Sequence, residues 1–183
     1  MKNISAIRYP YAVTKYVNEL YADVFSKVYN FHTIGLRYFN VFGPKQNPKG
    51  PYAAVIPLFI EAALKNTPPF INGDGETSRD FTFIENAVQA NIKAMFADVQ
   101  KSEVVNIAFG ARTTLNSLWN EISKLSKSRV KPIYREERKG DVKHSLANIS
   151  KANNLIGYQP DFSTSEGLIL TINWYKNFFK TKN

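Results

Sequence analysis

The 183-residue chain is predicted to adopt an α/β fold organised around a parallel sheet. Stretches with apolar residues three and four apart alternate with short runs rich in β-branched and aromatic side chains. Glycine, proline and asparagine punctuate the boundaries between them. With 44% hydrophobic and 21% charged residues, the chain is apolar enough to bury a core and does not read as disordered.

The elements follow in order. Over residues 11–29, Val13, Val17, Leu20, Val24 and Val28 form one stripe at helical spacing, and Pro10 stands where a helix tolerates a missing N–H. Residues 33–42 read as one buried strand closed by Gly43-Pro44. A helix over 57–66 puts Phe59, Ile60, Ala63 and Leu64 on one side and ends before Pro68-Pro69. Phe70-Ile71 opens a short strand, Asn72-Gly73-Asp74-Gly75 is turn chemistry, and 79–84 returns as an alternating strand. A helix over 86–97 precedes a strand over 104–109 that ends at Gly110. Leu115, Leu118, Trp119, Ile122 and Leu125 define the next helix, and 131–135 the next strand. Ser150 caps a short helix stopped by Gly157 and Pro160. Ser163-x-x-Glu166 is a capping box before a last helix carrying Leu168, Ile172, Tyr175 and Phe179.

Several function classes are not expected. No run approaches the roughly 18 apolar residues of a membrane span, and residues 1–16 lack a signal-peptide pattern. The absence of cysteine leaves no disulfide framework or thiolate metal site, so the cytoplasm is the default location. His32 and His144 lack acidic companions, so no metal site is expected. The net charge of +9 suits a phosphate-bearing partner, but the basic residues are scattered, and neither nucleic acid nor membrane is expected. A phosphorylated small molecule remains.

Tyr11 and Lys15 lie about 40° apart on a helical wheel, roughly opposite the valine stripe. A phenolate base at neutral pH needs about 3 units of stabilisation, roughly 4 kcal/mol, and an ammonium one turn away supplies part of it. Spacing alone favours an ordinary surface pair. Arg79 and Arg138 suit a diphosphate, because a guanidinium fork binds phosphate oxygens in pairs. Beside Glu136 and Glu137, Arg138 could instead be a surface ion-pair residue, and Asn72 could simply serve its turn. Asn40, inside an apolar run, is expected to be buried and to need partners. No G-x-G-x-x-G or G-x-x-G-x-x-G occurs anywhere, so the usual dinucleotide-phosphate turn is missing.

In order and spacing, Pro10-Tyr-Ala-Val-Thr-Lys15, Arg37-Tyr-Phe-Asn-Val-Phe-Gly-Pro44 and Gly73-Asp-Gly-Glu-Thr-Ser-Arg-Asp-Phe81 resemble the extended short-chain dehydrogenase/reductase family. Within it the chain is most similar to the UDP-N-acetylglucosamine 4-epimerases of surface-polysaccharide synthesis, and Gly140-Asp-Val-Lys-His-Ser145 fits that branch. The resemblance implies a remnant of a Rossmann-like parallel sheet over 1–52. It also implies a smaller UDP-sugar-binding domain over 53–183, with one or two segments returning to the sheet. It makes Tyr11 the catalytic base and Lys15 the residue that lowers its pKa and holds the nicotinamide ribose of NAD. Asn40 and Arg79 then contact the diphosphate, Arg138 is a second phosphate arginine, and Asp141 binds the uridine ribose. Ala54, Val55 and Asn72 surround the uracil. Ser145 matches the position where a small residue admits an N-acetyl group.

Complete family members carry a glycine-rich NAD-binding segment before the tyrosine, which this sequence lacks. The chain is therefore expected to be inactive by itself, to retain no NAD, and to act only if an N-terminal half is supplied; a half-gene product, a truncated chain and one piece of a split enzyme with a separately encoded N-terminal half all stay open. The family's homodimer uses the helix preceding the tyrosine helix, also lacking here. Two alternatives stay open: a non-catalytic UDP-sugar-binding or decayed fragment, and a nucleotide-sugar dehydratase or decarboxylase.

Overall fold

The computed structural model describes residues 10–49, 54–137, 140 and 142–180, with side chains from residue 12 onward. The elements run α1 (Pro10–Tyr29), β1 (Ile34–Tyr38), β2 (Val41–Phe42), α2 (Val55–Leu64), β3 (Phe70–Asn72), β4 (Ser78–Arg79) and β5 (Thr82–Phe83). They continue with α3 (Ile84–Met95), β6 (Glu103–Ile107), β7 (Thr113–Thr114), α4 (Leu115–Ser126), β8 (Ile133–Arg135), α5 (Ser150–Ile156) and α6 (Thr164–Lys180). Pairs β1–β6, β2–β5 and β3–β8 are parallel, as an α/β fold requires, whereas β4–β7 is antiparallel.

Two expected strands are interrupted. The run over 33–42 changes partner at Asn40, whose φ is +39°. Before it, the Phe39 amide extends the β6 ladder by donating to the Ile107 carbonyl (3.0 Å); after it, the Thr82 amide donates to the Asn40 carbonyl (3.3 Å) and β2 pairs with β5. Asparagine tolerates this left-handed excursion better than most residues. The run over 79–84 likewise splits into β4 and β5 around Asp80, whose side chain is wholly buried.

Helix ends follow local chemistry. Ser163 and Glu166 form the expected box: the Ser163 amide donates to Glu166 Oε2 (2.8 Å) and the Glu166 amide to Ser163 Oγ (3.2 Å). Thr114 caps α4 by accepting the Ser117 amide at 3.1 Å. At α5 the expectation is corrected: Ile149 is the N-cap, and Asn148 Oδ1, not Ser150, accepts an amide there. Gly157, at φ +63°, closes that helix.

One core joins α2, α4 and α6 to β2 and β5 through residues including Phe42, Phe59, Ile60, Trp119, Ile122 and Leu168. Phe59 and Trp119 meet edge to face, with centroids 5.6 Å apart. The Tyr175 hydroxyl donates to the Gln46 carbonyl, seating the loop after β2 on α6. Burial, with a smaller contribution from Glu61, pushes that phenol up to about 12, so it remains a donor. A second core joins Val105 and Ile107 of β6 to Ala90, Ala152, Ile156 and Tyr158.

Helix α1 turns a different side inward than its stripe predicts. Ala12, Tyr16, Glu19, Ala22 and Ser26 are half-buried against the β1–β6 side, while Val13, Val17, Leu20, Val24 and Val28 are exposed. Polar contacts fix this orientation. Arg37 forks onto Glu19 with two bonds of 2.5 Å, and Ser102 donates from Oγ to the Ala22 carbonyl and from its amide to Ser26 Oγ. Among the described residues no helix is long and apolar enough to cross a membrane.

Candidate functional site

A cleft of about 610 Å³ opens where β2, α2, β3 and β4 converge, and it collects most of the singled-out residues. Asn40, Ala54, Val55, Asn72 and Arg79 all line it. Each is placed by a different local device. The partner switch between β1 and β2 puts Asn40 at the rim, Ala54 and Val55 begin α2, Asn72 ends β3, and Arg79 ends β4.

The polar chemistry of the cleft favours an anion. Arg79 is the one charged side chain among the described lining residues, and no carboxylate joins it. Its Nη1 donates to the Ser78 carbonyl at 2.9 Å, which steadies the guanidinium. The start of α2 adds to this. Ala54 is the N-cap and offers no side-chain acceptor, and Ala54, Val55 and Ile56 line the cleft, so the positive end of the helix dipole lies at its edge. Apart from Asn40, Asn72 and Thr77, the rest of the lining is apolar, including Leu58, Pro68, Pro69 and Phe70. Arg135 stacks on Phe70 with its guanidinium carbon 3.1 Å from the ring centroid.

The expectation that Asn40 is buried is corrected. Its side chain is exposed, and its amide is already satisfied by donation to the Asp80 carbonyl at 3.0 Å. An unpaired buried amide therefore does not explain its presence; its left-handed backbone and rim position do. Ser145 does not line the cleft but sits alongside. Its amide donates to the Ser78 carbonyl at 3.1 Å, and Ser78 Oγ bonds His144 Nδ1 at 2.9 Å. His32 likewise bonds Ser26 Oγ at 2.9 Å, so both histidines serve hydrogen bonds.

The Tyr/Lys helix lies apart from the cleft lining. Lys15 is exposed on α1, while the Tyr11 side chain, Arg138 and Asp141 lie outside the described residues. The Arg37–Glu19 fork relates the two regions, because Glu19 is one turn from Lys15 and Arg37 is on the strand that leads to Asn40. Sequence reasoning missed Thr77 and Phe70, which line the cleft, and Asp80 behind it. Asp80 carried a signal, as an acidic residue inside an alternating apolar run.

Comparison with known proteins gives these positions a context. A model of the NAD dependent epimerase/dehydratase family matches residues 2–108. A putative UDP-glucose 4-epimerase of Methanocaldococcus jannaschii is 38% identical over 172 residues, covering 94% of this chain and 55% of that protein. The structure of a UDP-glucose 4-epimerase of Thermotoga maritima with UDP-glucose superposes with a TM-score of 0.89 at 36% identity, covering 93% of this chain and 54% of that one. A UDP-N-acetylglucosamine 4-epimerase of Methanobrevibacter ruminantium in complex with UDP-N-acetylmuramic acid gives 0.88 at 40% identity, covering 97% and 58%. The chain thus spans about half the length of the relatives it matches.

Proposed function

Because the chain belongs to the NAD dependent epimerase/dehydratase family, we propose that it is the sugar-nucleotide-binding half of a 4-epimerase acting on a UDP-N-acetylhexosamine in polysaccharide precursor synthesis. The observation that carries this reading is the convergence of Asn40, Asn72 and Arg79 on one cleft at the start of α2, with no carboxylate among the described lining residues. The resemblance to epimerases whose structures hold UDP-linked sugars supports it.

Arg79 and Asn40 hold the diphosphate, joined by Arg138. Ala54, Val55 and Asn72 flank the uracil, and Asp141 takes the ribose. Ser145, small and next to β4, leaves room for an N-acetyl group at C2 and favours UDP-GlcNAc and UDP-GalNAc over UDP-glucose. The sugar must present both faces of C4, so firm contacts belong on the nucleotide and loose ones on the sugar. Tyr11 takes the proton of the 4-hydroxyl and later returns one, with the Lys15 ammonium favouring its phenolate. Bound NAD supplies the acceptor, and then the donor, of the C4 hydride.

The residues present fit only part of such a cofactor site. Lys15, exposed on α1, would hold a ribose hydroxyl, but the glycine-rich phosphate cradle would have to come from residues outside this sequence. Residues 1–52 are assigned to the Rossmann-like part and 53–183 to the substrate part. Strand β6 and helix α5 return to the former through the second core.

Thermal shift and complementation test this together. UDP-GlcNAc is expected to raise the melting temperature, as any ligand of the native state does. The isolated chain is expected to carry no NAD and show no turnover, and co-expression with an N-terminal half is expected to restore epimerisation. Stoichiometric NAD with turnover in the isolated chain would overturn the split. Product analysis showing a dehydrated or decarboxylated sugar would replace the reaction while keeping the site.

A further inference from the structure

Asp80 is the one fully buried acidic side chain among the described residues, and it does not line the cleft. Its contacts are spread over three segments. Oδ1 accepts the amides of Phe109 and Gly110, both at 3.1 Å, at the end of the β6 segment. Oδ2 accepts the Gly110 amide (3.1 Å) and the Ala147 amide (3.2 Å), two residues beyond Ser145. Its backbone carbonyl accepts the Asn40 side chain, and Arg79 is its chain neighbour.

Placing a carboxylate in a core is costly, and an apolar residue would fill the space at less expense. Burial pushes the Asp80 carboxyl above its ordinary range, while the amides of Ala147, Gly110, Phe109 and Ala111 pull it back. What the carboxylate supplies, and an apolar residue cannot, is an acceptor shared by two loops that come together behind the cleft from different parts of the chain. Asparagine would not replace it, because its NH₂ would face backbone donors.

We propose that Asp80 is the positioning residue of the nucleotide site, setting Asn40, Arg79 and Ser145 relative to one another through the amides of Phe109, Gly110 and Ala147. This rests on the cleft being the UDP-sugar site. Asp80 thereby affects affinity without touching the ligand, and the same bonds tighten when the ligand is held.

The test is calorimetry of the chain with UDP-GlcNAc, run well below the melting temperature of each variant. Asp80→Asn is expected to weaken binding roughly tenfold or more, because its NH₂ turned toward backbone donors displaces the loops that carry Gly110 and Ala147. Thr171→Val, which breaks the buried Thr171 Oγ1–Gly167 carbonyl bond within α6, is the control for general destabilisation and is expected to leave affinity within about twofold. Amide hydrogen exchange of the unsubstituted chain adds a readout that does not depend on variant folding. UDP-GlcNAc is expected to slow exchange at Phe109, Gly110 and Ala147 by more than at the buried amides of α6, which report global stability. Equal affinity of Asp80→Asn and the unsubstituted chain would overturn the positioning role and leave the site intact. An equal loss in Thr171→Val, or no local slowing, would also overturn it. An unsubstituted chain that does not bind UDP-GlcNAc would instead remove the proposed function, and this inference with it.

Discussion

Helices α1 and α6 are both long, and both carry apolar residues at helical spacing, yet their surroundings differ. In α6, Leu168, Ile172 and Tyr175 are buried and pack in the core with α2 and α4. In α1, the stripe from Val13 (48% exposed) to Val28 (64% exposed) has no cover among the described residues, and the inward side is held largely by polar bonds. Neighbouring elements show the same pattern. Ile92, Met95 and Phe96 at the end of the α3 segment are exposed, and among the described residues β1 pairs on one edge only, with β6. The region with the cleft packs around a large apolar core, whereas the region with the Tyr/Lys pair presents apolar faces that nothing among the described residues covers. Periodicity therefore reports that a helix is amphipathic but does not say whether its partner is at hand.

The contrast can be broken most directly by cutting large side chains from both regions. Leu168→Ala or Ile60→Ala is expected to cost about 2–5 kcal/mol in urea melts, and Val17→Ala no more than about 0.5 kcal/mol. Similar losses would erase the distinction. Gly167→Ala comes next, because a Cβ there would lie 2.7 Å from the Phe83 ring, a close approach with no relief nearby. A loss of about 1–3 kcal/mol is expected from overpacking, and a neutral result would show the α6–β5 contact to be loose.

Smaller effects sharpen the α1 side. Arg37→Ala removes the fork to Glu19; with Arg37 half-exposed, the loss is expected to be roughly 0–1 kcal/mol and to shrink in high salt. Glu166→Gln probes the α6 cap through pH. Hydrogen bonds from Ser163 hold the Glu166 carboxyl below its ordinary range. A depressed folded-state pKa gives stability that is present above the unfolded value and lost as pH falls through the folded one. The variant is therefore expected to melt lower than the unsubstituted chain at neutral pH, with the gap closing on acidification. A gap unchanged at acid pH would remove the carboxylate from the cap.

Most elements were legible because their signals are local. The capping box at Ser163–Glu166 and the Leu168/Ile172/Tyr175 face each concern residues a few positions apart. The strand interruptions were not, because period-two alternation is the same whether a strand keeps its partner or changes it. The burial expected of Asn40 was not met: its exposure and positive φ mark a partner switch, not a buried amide. The inward side of α1 was missed because Arg37 and Ser102, which decide it, are distant in sequence. Of the candidate site, Asn40, Ala54, Val55, Asn72 and Arg79 converge on one cleft and Ser145 lies beside it. Motif spacing identified these positions, whereas Asp80, which joins them, is visible only once the loops after β6 and before Ala147 are in place.

A crystal structure of this chain with UDP-GlcNAc tests the assignment most directly. The expected result is diphosphate oxygens within hydrogen-bond reach of Arg79 and Asn40, with the uracil against Ala54 and Val55 at the start of α2. A nucleotide bound elsewhere on the surface, with this cleft empty, would contradict it.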